Sequence, residues 1–315
     1  MNDYLQIKEI TKRYGEKIAV DRLNLSVPSG CIYGIIGPNG AGKTTTIRMI
    51  MNIIIPDSGE IFINGQAASG KSQDRIGYLP EERGLYKKMT LREIVLYLGQ
   101  LKNVHRKDIL NNMDAWFERM NLLDYKDKNI EELSKGMQQK LQFITTLIHE
   151  PELIILDELF SGLDPLNIEL IKNILLELKK DGRTILFSTH VMEQAEKLCD
   201  YICMINAGQK VLDGSINEIK RSYGKNNIHL DIEGDGGFLE NLEGIEKITK
   251  FNKYFELNLK SNADSNKILK SISDRATVNR FEKVEPSLYN IFIDKAGHVK
   301  LSETESSSEG RIGHE

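Results

Sequence analysis

The chain has 315 residues, 42 basic and 46 acidic, for a formal charge of −4, with 40% hydrophobic and 28% charged side chains. That length and balance suit a folded protein of about two domains whose own core needs no disulfide or metal to hold it. The slight acidity argues against a protein that coats nucleic acid, and no nucleic-acid partner is expected.

The three cysteines, Cys31, Cys199 and Cys203, form no spaced framework, which fits thiols in a reducing compartment. Cys199 and Cys203 could share one face of a helix. Without His or Cys partners at ligand spacing, small buried thiols are a better reading of them than a metal pair. The longest apolar runs, Ile53–Ile55 and Leu153–Leu156, are strand-sized, well short of the ~18–20 residues that span a bilayer. The opening MNDYLQIKEI carries acids and lacks an apolar h-region, so no signal peptide is expected. Any membrane role would pass through another polypeptide.

In chain order, Leu5–Lys8 and Leu23–Val27 alternate as strands, with a turn at Tyr14-Gly15-Glu16. Cys31–Ile36 reads as a buried strand that runs into a glycine loop, and Lys43–Met51 as the helix after it. Pro56-Asp57-Ser58-Gly59 predicts a turn, Glu60–Asn64 and Ile76–Leu79 predict strands, and Thr90–Ile148 is helical in pattern. Within that stretch Leu91, Ile94, Val95 and Leu98 recur at helical spacing, as do Met113, Trp116, Phe117 and Met120. Leu153–Leu156 is an apolar strand ending in Asp157-Glu158. Asn167–Lys180 is an amphipathic helix, Thr184–Ser188 a strand, Val191–Leu198 a helix, and Tyr201–Ile205 with Gln209–Asp213 a hairpin. Strands alternating with helices predict an α/β core with a parallel sheet. Ser222–Asn227 reads as a linker. Strands at Ile228–Glu233, Ile248–Phe251, Tyr254–Leu259 and Val278–Val284, with a helix at Asn266–Ser273, then predict a small α+β domain over 228–297. The Ser- and Glu-rich tail from Ser302 reads as disordered.

Gly37-Pro38-Asn39-Gly40-Ala41-Gly42-Lys43-Thr44 satisfies G-x-x-x-x-G-K-[ST], between a strand and a helix. Glycines let the backbone curl so that its N–H groups point at phosphate oxygens, and the helix adds its positive N-terminal end. Lys43 would bridge the β- and γ-phosphates of ATP, Thr44 would hold Mg²⁺, and Thr45 would contact the α-phosphate. Asp157-Glu158 sit at the C-terminal end of an apolar strand, where α/β sheets place ligands. Asp157 can support Mg²⁺ and Glu158 can polarise an attacking water. Adjacent acids at a strand end, taken alone, are more often a solvated turn.

Together with these motifs, Leu133-Ser134-Lys135-Gly136-Met137-Gln138-Gln139 resembles the signature of the ABC (ATP-binding cassette) transporter ATP-binding subunits, and the resemblance covers roughly residues 3–220. It implies a P-loop NTPase core with an antiparallel β subdomain and a helical insert over about 90–148. In the family the signature caps the ATP bound by a second subunit. Ser134 is a good N-cap, and the helix after it would offer its N-terminus to a partner's γ-phosphate. Lys135 and Met137 depart from the family's Gly and Gln, so phosphate contacts are carried over for Ser134 and Gly136 only.

The resemblance assigns further residues in the same order. Ser161-Gly162-Leu163-Asp164 is similar to the D-loop, although a plain turn opening a helix fits equally. Leu159 replaces the proline usual after Glu158, which predicts a looser turn. His190 matches the switch histidine that touches the γ-phosphate. Tyr14 matches the aromatic that stacks on adenine, against the alternative of a strand-end core tyrosine. Glu81, in the segment similar to the Q-loop, stands where glutamine is common; a carboxylate there can face Mg²⁺ or the attacking water. Arg83–Met89, with Leu85 and Tyr86, resembles the groove that receives a permease coupling helix.

The C-terminal part resembles the extension of exporter-type subunits, including sodium-efflux and antibiotic-resistance systems. The implied protein is a Mg²⁺-dependent ATPase that forms a homodimer or heterodimer with a second ATP-binding subunit. It would energise a multi-span membrane permease, peripherally, at the cytoplasmic face of the membrane. The alternative is a soluble ABC ATPase acting on ribosomes or DNA. Its usual two cassettes or long coiled-coil inserts are not in this sequence.

Overall fold

The computed structural model describes residues 3–82, 84–223, 227–251, 254–260 and 263–295. The chain divides into two compact units, Met1–Gly214 and Ser215–Glu315. In the first unit, β1 (Asp3–Tyr14), β2 (Lys17–Pro28), β3 (Ile32–Ile36), α1 (Lys43–Ile50), β4 (Ser58–Ile63), β5 (Gln66–Ala67) and β6 (Ile76–Leu79) follow in order. Next come α2 (Leu91–Leu101), α3 (Arg106–Arg119) and α4 (Lys135–Leu147). The unit ends with β7 (Leu153–Asp157), α5 (Pro165–Lys180), β8 (Thr184–Thr189), α6 (Met192–Leu198), β9 (Tyr201–Asn206) and β10 (Gln209–Ser215).

Two sheets result: an antiparallel one in the order β2-β1-β4-β5, and one in the order β10-β9-β3-β8-β7-β6. In the second sheet β3 pairs in parallel with β8 and β9, and β7 with β6 and β8. Strands β3, β7 and β8 are buried at every residue, as expected of central strands covered on both faces. Alternation along them divides the core in two. Ile154, Leu156, Ile185 and Phe187 join the cluster that contains α2, α3, α4 and α5. Leu153, Ile155 and Leu186 join the cluster built with α1 and the antiparallel sheet. The parallel sheet is therefore the middle layer, and the ends of its strands are the ground on which a site can be built.

The helical insert is set by local signals. Thr90 and Glu93 form a capping box at the start of α2, and the Ser134 hydroxyl accepts the Met137 N–H at 3.3 Å to cap α4. Ile94, Val95, Ile109, Met113 and Phe117 then form its buried seam. Cys199 and Cys203 do not share a helix: Cys199 closes α6 and Cys203 is buried on β9. Burial pushes both thiols above the ordinary range, which suits small apolar side chains rather than metal ligands. No described helix is long and apolar enough to cross a membrane.

The second unit opens with α7 (Ile216–Ser222), a helix that the sequence pattern, with only Ile216 and Ile219 buried, did not announce. Then come β11 (Asn227–Ile232), β12 (Ile245–Lys250), β13 (Phe255–Leu259), α8 (Ser265–Ser273) and β14 (Val278–Val284), and residues 288–295 are helical. The strands form an antiparallel sheet in the order β12-β13-β11-β14. Of the expected linker, Ser222 and Tyr223 end α7 and Asn227 begins β11. Residues 224–226 and the tail from Ser302 lie outside the described residues.

Two stability predictions follow from this packing. Phe117→Ala empties a fully buried position and is expected to cost about 3–5 kcal/mol in denaturant unfolding, whereas Leu166→Ala, at an 84% exposed site, should change stability by no more than about 0.5 kcal/mol. The His149 Nε2–H donates to the Ile76 carbonyl at 3.1 Å, while its Nδ1 is buried with no partner among the described residues. Burial, helped by the Lys102 ammonium, holds its imidazole down to about 4 against an ordinary 6.5. The unfolded chain therefore takes up this proton first, and the contribution is full above pH 6.5 and lost as pH falls toward 4. His149→Gln should flatten the pH dependence of the unfolding midpoint across that window.

Candidate functional site

The segment between β3 and α1 is forced into its path by two glycines. Gly37 has φ 157° and a Cβ there would lie 2.1 Å from the Ile205 carbonyl oxygen; Gly42 has φ 108° and a Cβ would lie 2.4 Å from that of Ala19. The Ala41 N–H closes the loop on the Pro38 carbonyl at 3.2 Å, and the Ala41 carbonyl accepts the Gly208 N–H at 2.9 Å. Asn39, Gly40, Gly42, Lys43, Thr44 and Thr45 line a cavity of about 440 Å³, joined by Tyr14, Lys17, Ala19, Glu81 and Glu158. Tyr14 ends β1 and is half exposed, so it is a wall of the cavity and not a core residue.

Lys43 is buried, at 6% exposure. Its Nζ donates to the Gly37 carbonyl at 2.9 Å and the Pro38 carbonyl at 3.2 Å, and lies 3.6 Å from Glu158 Oε1. Asp157 is 1% exposed. The Ser188 hydroxyl donates to its Oδ1, and its Oδ2 is buried with no partner among the described residues. Glu158 leaves the strand with φ 50°, a left-handed turn that swings its carboxylate away from that of Asp157. The Glu158 N–H is held by the Ser188 carbonyl at 3.2 Å and hydroxyl at 3.3 Å. His190 Nδ1 lies 3.0 Å from Glu158 Oε1, so that one oxygen faces both Lys43 and His190.

The turn after Glu158 is not loose. Leu159 is fully buried in the helical-side core, its carbonyl accepts from the buried Gln139 amide, and the Ser161 N–H returns to the Glu158 carbonyl at 3.1 Å. A leucine anchored in the core does here what the rigidity of proline would do. Ser188 and Gln139 escaped the sequence reading because a lone serine on a strand and a glutamine on a helix carry no spacing signal. Ser134 and Gly136 do not line the cavity. Gly136 has open space where a Cβ would be, Met137 packs on the helical core, and Asp164 caps α5 through the Asn167 N–H at 3.0 Å. Leu85 packs on the helical core, and Tyr86 is exposed with its ring edge-on to Tyr97.

Against known proteins, residues 20–161 match the ABC transporter family, and residues 214–296 match the family described as ATP-binding protein DrrA1-3-like, C-terminal domain. The uncharacterized ABC transporter ATP-binding protein YhaQ of Bacillus subtilis (strain 168) is 43% identical over 94% of this chain and 99% of its own length. The Nod factor export ATP-binding protein I of Sinorhizobium fredii is 36% identical over 67% of this chain and 62% of its own. Among solved structures, an ATP-binding subunit of an ABC transporter superposes with a TM-score of 0.66 at 31% identity, over 70% of this chain and 93% of that one. An ATP-binding cassette in its ADP conformation gives 0.62 at 25% identity, over 69% of this chain and 93% of that one.

The chain belongs to the ABC transporter ATP-binding proteins, and its second unit is of the DrrA-like C-terminal type. The cassette fold, a P-loop NTPase core with an antiparallel subdomain and helical insert, is the one its motifs imply.

The loop geometry separates two glycines of similar appearance. Gly42→Ala is expected to destabilise by at least about 1–3 kcal/mol from the positive φ alone. Gly136→Ala, in a helix and facing open space, should be neutral or stabilising by about 0.5–1 kcal/mol. Denaturant unfolding of the two variants measures both.

Proposed function

We propose that this subunit binds Mg-ATP in the cavity beside the Gly37–Thr44 loop and hydrolyses it, as one half of a head-to-tail dimer that drives a multi-span membrane permease. The observation that carries this reading is the meeting of Lys43 and His190 at one oxygen of Glu158, with Lys43 and Glu158 lining the cavity beside the loop and Asp157 one residue before Glu158 at the end of β7. Triphosphate oxygens are stronger acceptors than the two carbonyls that hold Lys43 Nζ, so the ammonium transfers to the β- and γ-phosphates. The loop N–H groups and the start of α1 gather the remaining oxygens. Thr45 reaches the α-phosphate, and Tyr14 offers its exposed ring to adenine.

The residues present suit Mg²⁺. Asp157 Oδ2 is a buried carboxylate oxygen with no partner among the described residues, and Thr44 and Glu81 line the cavity that Glu158, the next residue, also lines. Thr44 and Asp157 would hold the ion, with Glu81 as a further oxygen, and the ion would supply charge neutralisation at the transferred phosphate. Glu158 orients and polarises the attacking water, and His190, bonded to the same carboxylate, keeps it turned toward the γ-phosphate. Ser134 and Gly136, outside the chain's own cavity, would cap the ATP of a second ATP-binding subunit, identical or different. ATP favours closure because its γ-phosphate collects donors from both chains, and hydrolysis removes them.

Export is the proposed direction, supported by the Nod factor export relatives and the DrrA-like C-terminal match. The place of action would be the cytoplasmic face of the membrane, with the surface around Leu85 and Tyr86 meeting the permease.

Glu158→Gln should lower ATP turnover by about 10²–10⁴-fold with nucleotide affinity retained and an ATP-stabilised dimer on size exclusion. Normal turnover in that variant rejects Glu158 as the group acting on water. Lys43→Ala should weaken ATP binding severely, read by equilibrium dialysis with labelled nucleotide; unchanged affinity would reject the phosphate-loop assignment.

A further inference from the structure

Glu158 is held from two sides by different elements. Bonds from its N–H to the Ser188 carbonyl and hydroxyl fix the side toward β7 and β8. The far side is fixed from α4, where the side-chain amide of Gln139, 4% exposed, donates to the Leu159 carbonyl. The next α4 residue, Lys140, is 7% exposed, and its ammonium feels the Asp164 carboxylate at the other end of the same loop. Two successive side chains of one helix thus engage both ends of the 158–164 loop.

The same turns of α4 are tied in the opposite direction. The Gln138 amide donates to the Ile130 and Leu133 carbonyls at 3.2 and 3.1 Å, and the Ser134 hydroxyl accepts the Met137 N–H at 3.3 Å. A continuous set of bonds therefore runs from the segment that carries Ser134, through the first turns of α4, to the turn at Glu158. Packing alone does not call for its last link. Leu141, Phe143 and Ile144 of α4 already share a core with Leu159 and Phe160, and an apolar side chain in place of Gln139 would extend that contact. A buried amide is costly unless bonded, and its bond is directional. What it gains here is a fixed direction for the peptide beside a residue at φ 50°, a conformation that its surroundings have to impose.

We propose that Gln139 is a positioning residue for hydrolysis, which sets the Glu158 turn according to how the Ser134 end of α4 is seated. The inference rests on the reading above, in which Glu158 acts on water and Ser134 and Gly136 cap the nucleotide of a second subunit. It adds a route inside one chain: a nucleotide held at the start of α4 orients the carboxylate that works on the chain's own nucleotide. Gln139 does not line the cavity, so it acts through Glu158 and not on ATP binding.

The test is steady-state ATP hydrolysis by the full-length wild type, Gln139→Leu, Ser134→Ala and the double variant, with ATP affinity read by equilibrium dialysis. Gln139→Leu should lower kcat by about 10–10²-fold while KM and ATP affinity stay within about twofold of wild type. Ser134→Ala should lower kcat in the wild-type background and much less in the Gln139→Leu background, because both changes break one route. Should Gln139→Leu fail to fold, Gln139→Glu supplies the readout. A carboxylate cannot donate to the Leu159 carbonyl and a protonated carboxyl can, so the kcat of Gln139→Glu relative to wild type should rise as pH falls. Full kcat in Gln139→Leu overturns the proposal, as does a loss shared between kcat and ATP affinity. Additive losses in the double variant, or a Gln139→Glu ratio that pH leaves unchanged, overturn it as well. A wild-type protein that does not hydrolyse ATP, or normal turnover in Glu158→Gln, overturns instead the reading on which the proposal rests.

Discussion

A lysine ammonium taken out of water must be given acceptors, and Lys43 is given two loop carbonyls and the edge of a carboxylate. Much of the first unit can be read as the apparatus for that one arrangement. The loop carbonyls are in place because Gly37 and Gly42 let the backbone pass against Ile205 and Ala19 where no side chain fits. The carboxylate is in place because β7 is paired on both sides, by β6 and β8, and because its last residues are gripped by Ser188. Phosphate chemistry then has a cation, a row of amides and a directed carboxylate within one small volume.

The Asp157-Glu158 pair shows how neighbouring acids take different work. Asp157 stays in extended strand geometry and is shut into the sheet, with one oxygen bonded to Ser188 and the other left buried. Glu158 turns through φ 50° and comes out beside Lys43 and His190. Backbone strain of this kind persists only when the surroundings fix it. Here they do: the Ser188 and Ser161 bonds bracket the turn, and Leu159 is sunk in the core with its carbonyl held by Gln139. Gln139 lies on α4, the helix capped by Ser134, so the turn after Glu158 and this helix share a buried hydrogen bond.

How much of this was legible beforehand depends on the length and repetition of each signal. The central strands announced themselves as unbroken apolar runs, and the glycine loop as a fixed spacing of residues whose chemistry has few other uses. The helical insert showed its seam through Ile94, Val95, Met113 and Phe117. Short or solitary signals failed. The two-residue β5, the α7 helix with two buried isoleucines, and the single side chains of Ser188 and Gln139 have no period to detect. Leu159 was misread because its replacement of proline suggested lost rigidity, whereas burial restores it through packing. In the accessory unit the strands were visible.

The central claim is that the buried Asp157 oxygen with no partner among the described residues and the ammonium of Lys43 together form a receptor for Mg-ATP. Calorimetric titration of ATP into the wild-type protein and Asp157→Asn, each with Mg²⁺ and with the ion chelated, measures this most directly. The account predicts that Mg²⁺ tightens ATP binding in the wild type and that this gain disappears in Asp157→Asn, while metal-free binding is alike in both. A wild-type protein that takes up no ATP at millimolar concentration, or an Asp157→Asn protein that keeps the full benefit of Mg²⁺, would contradict it.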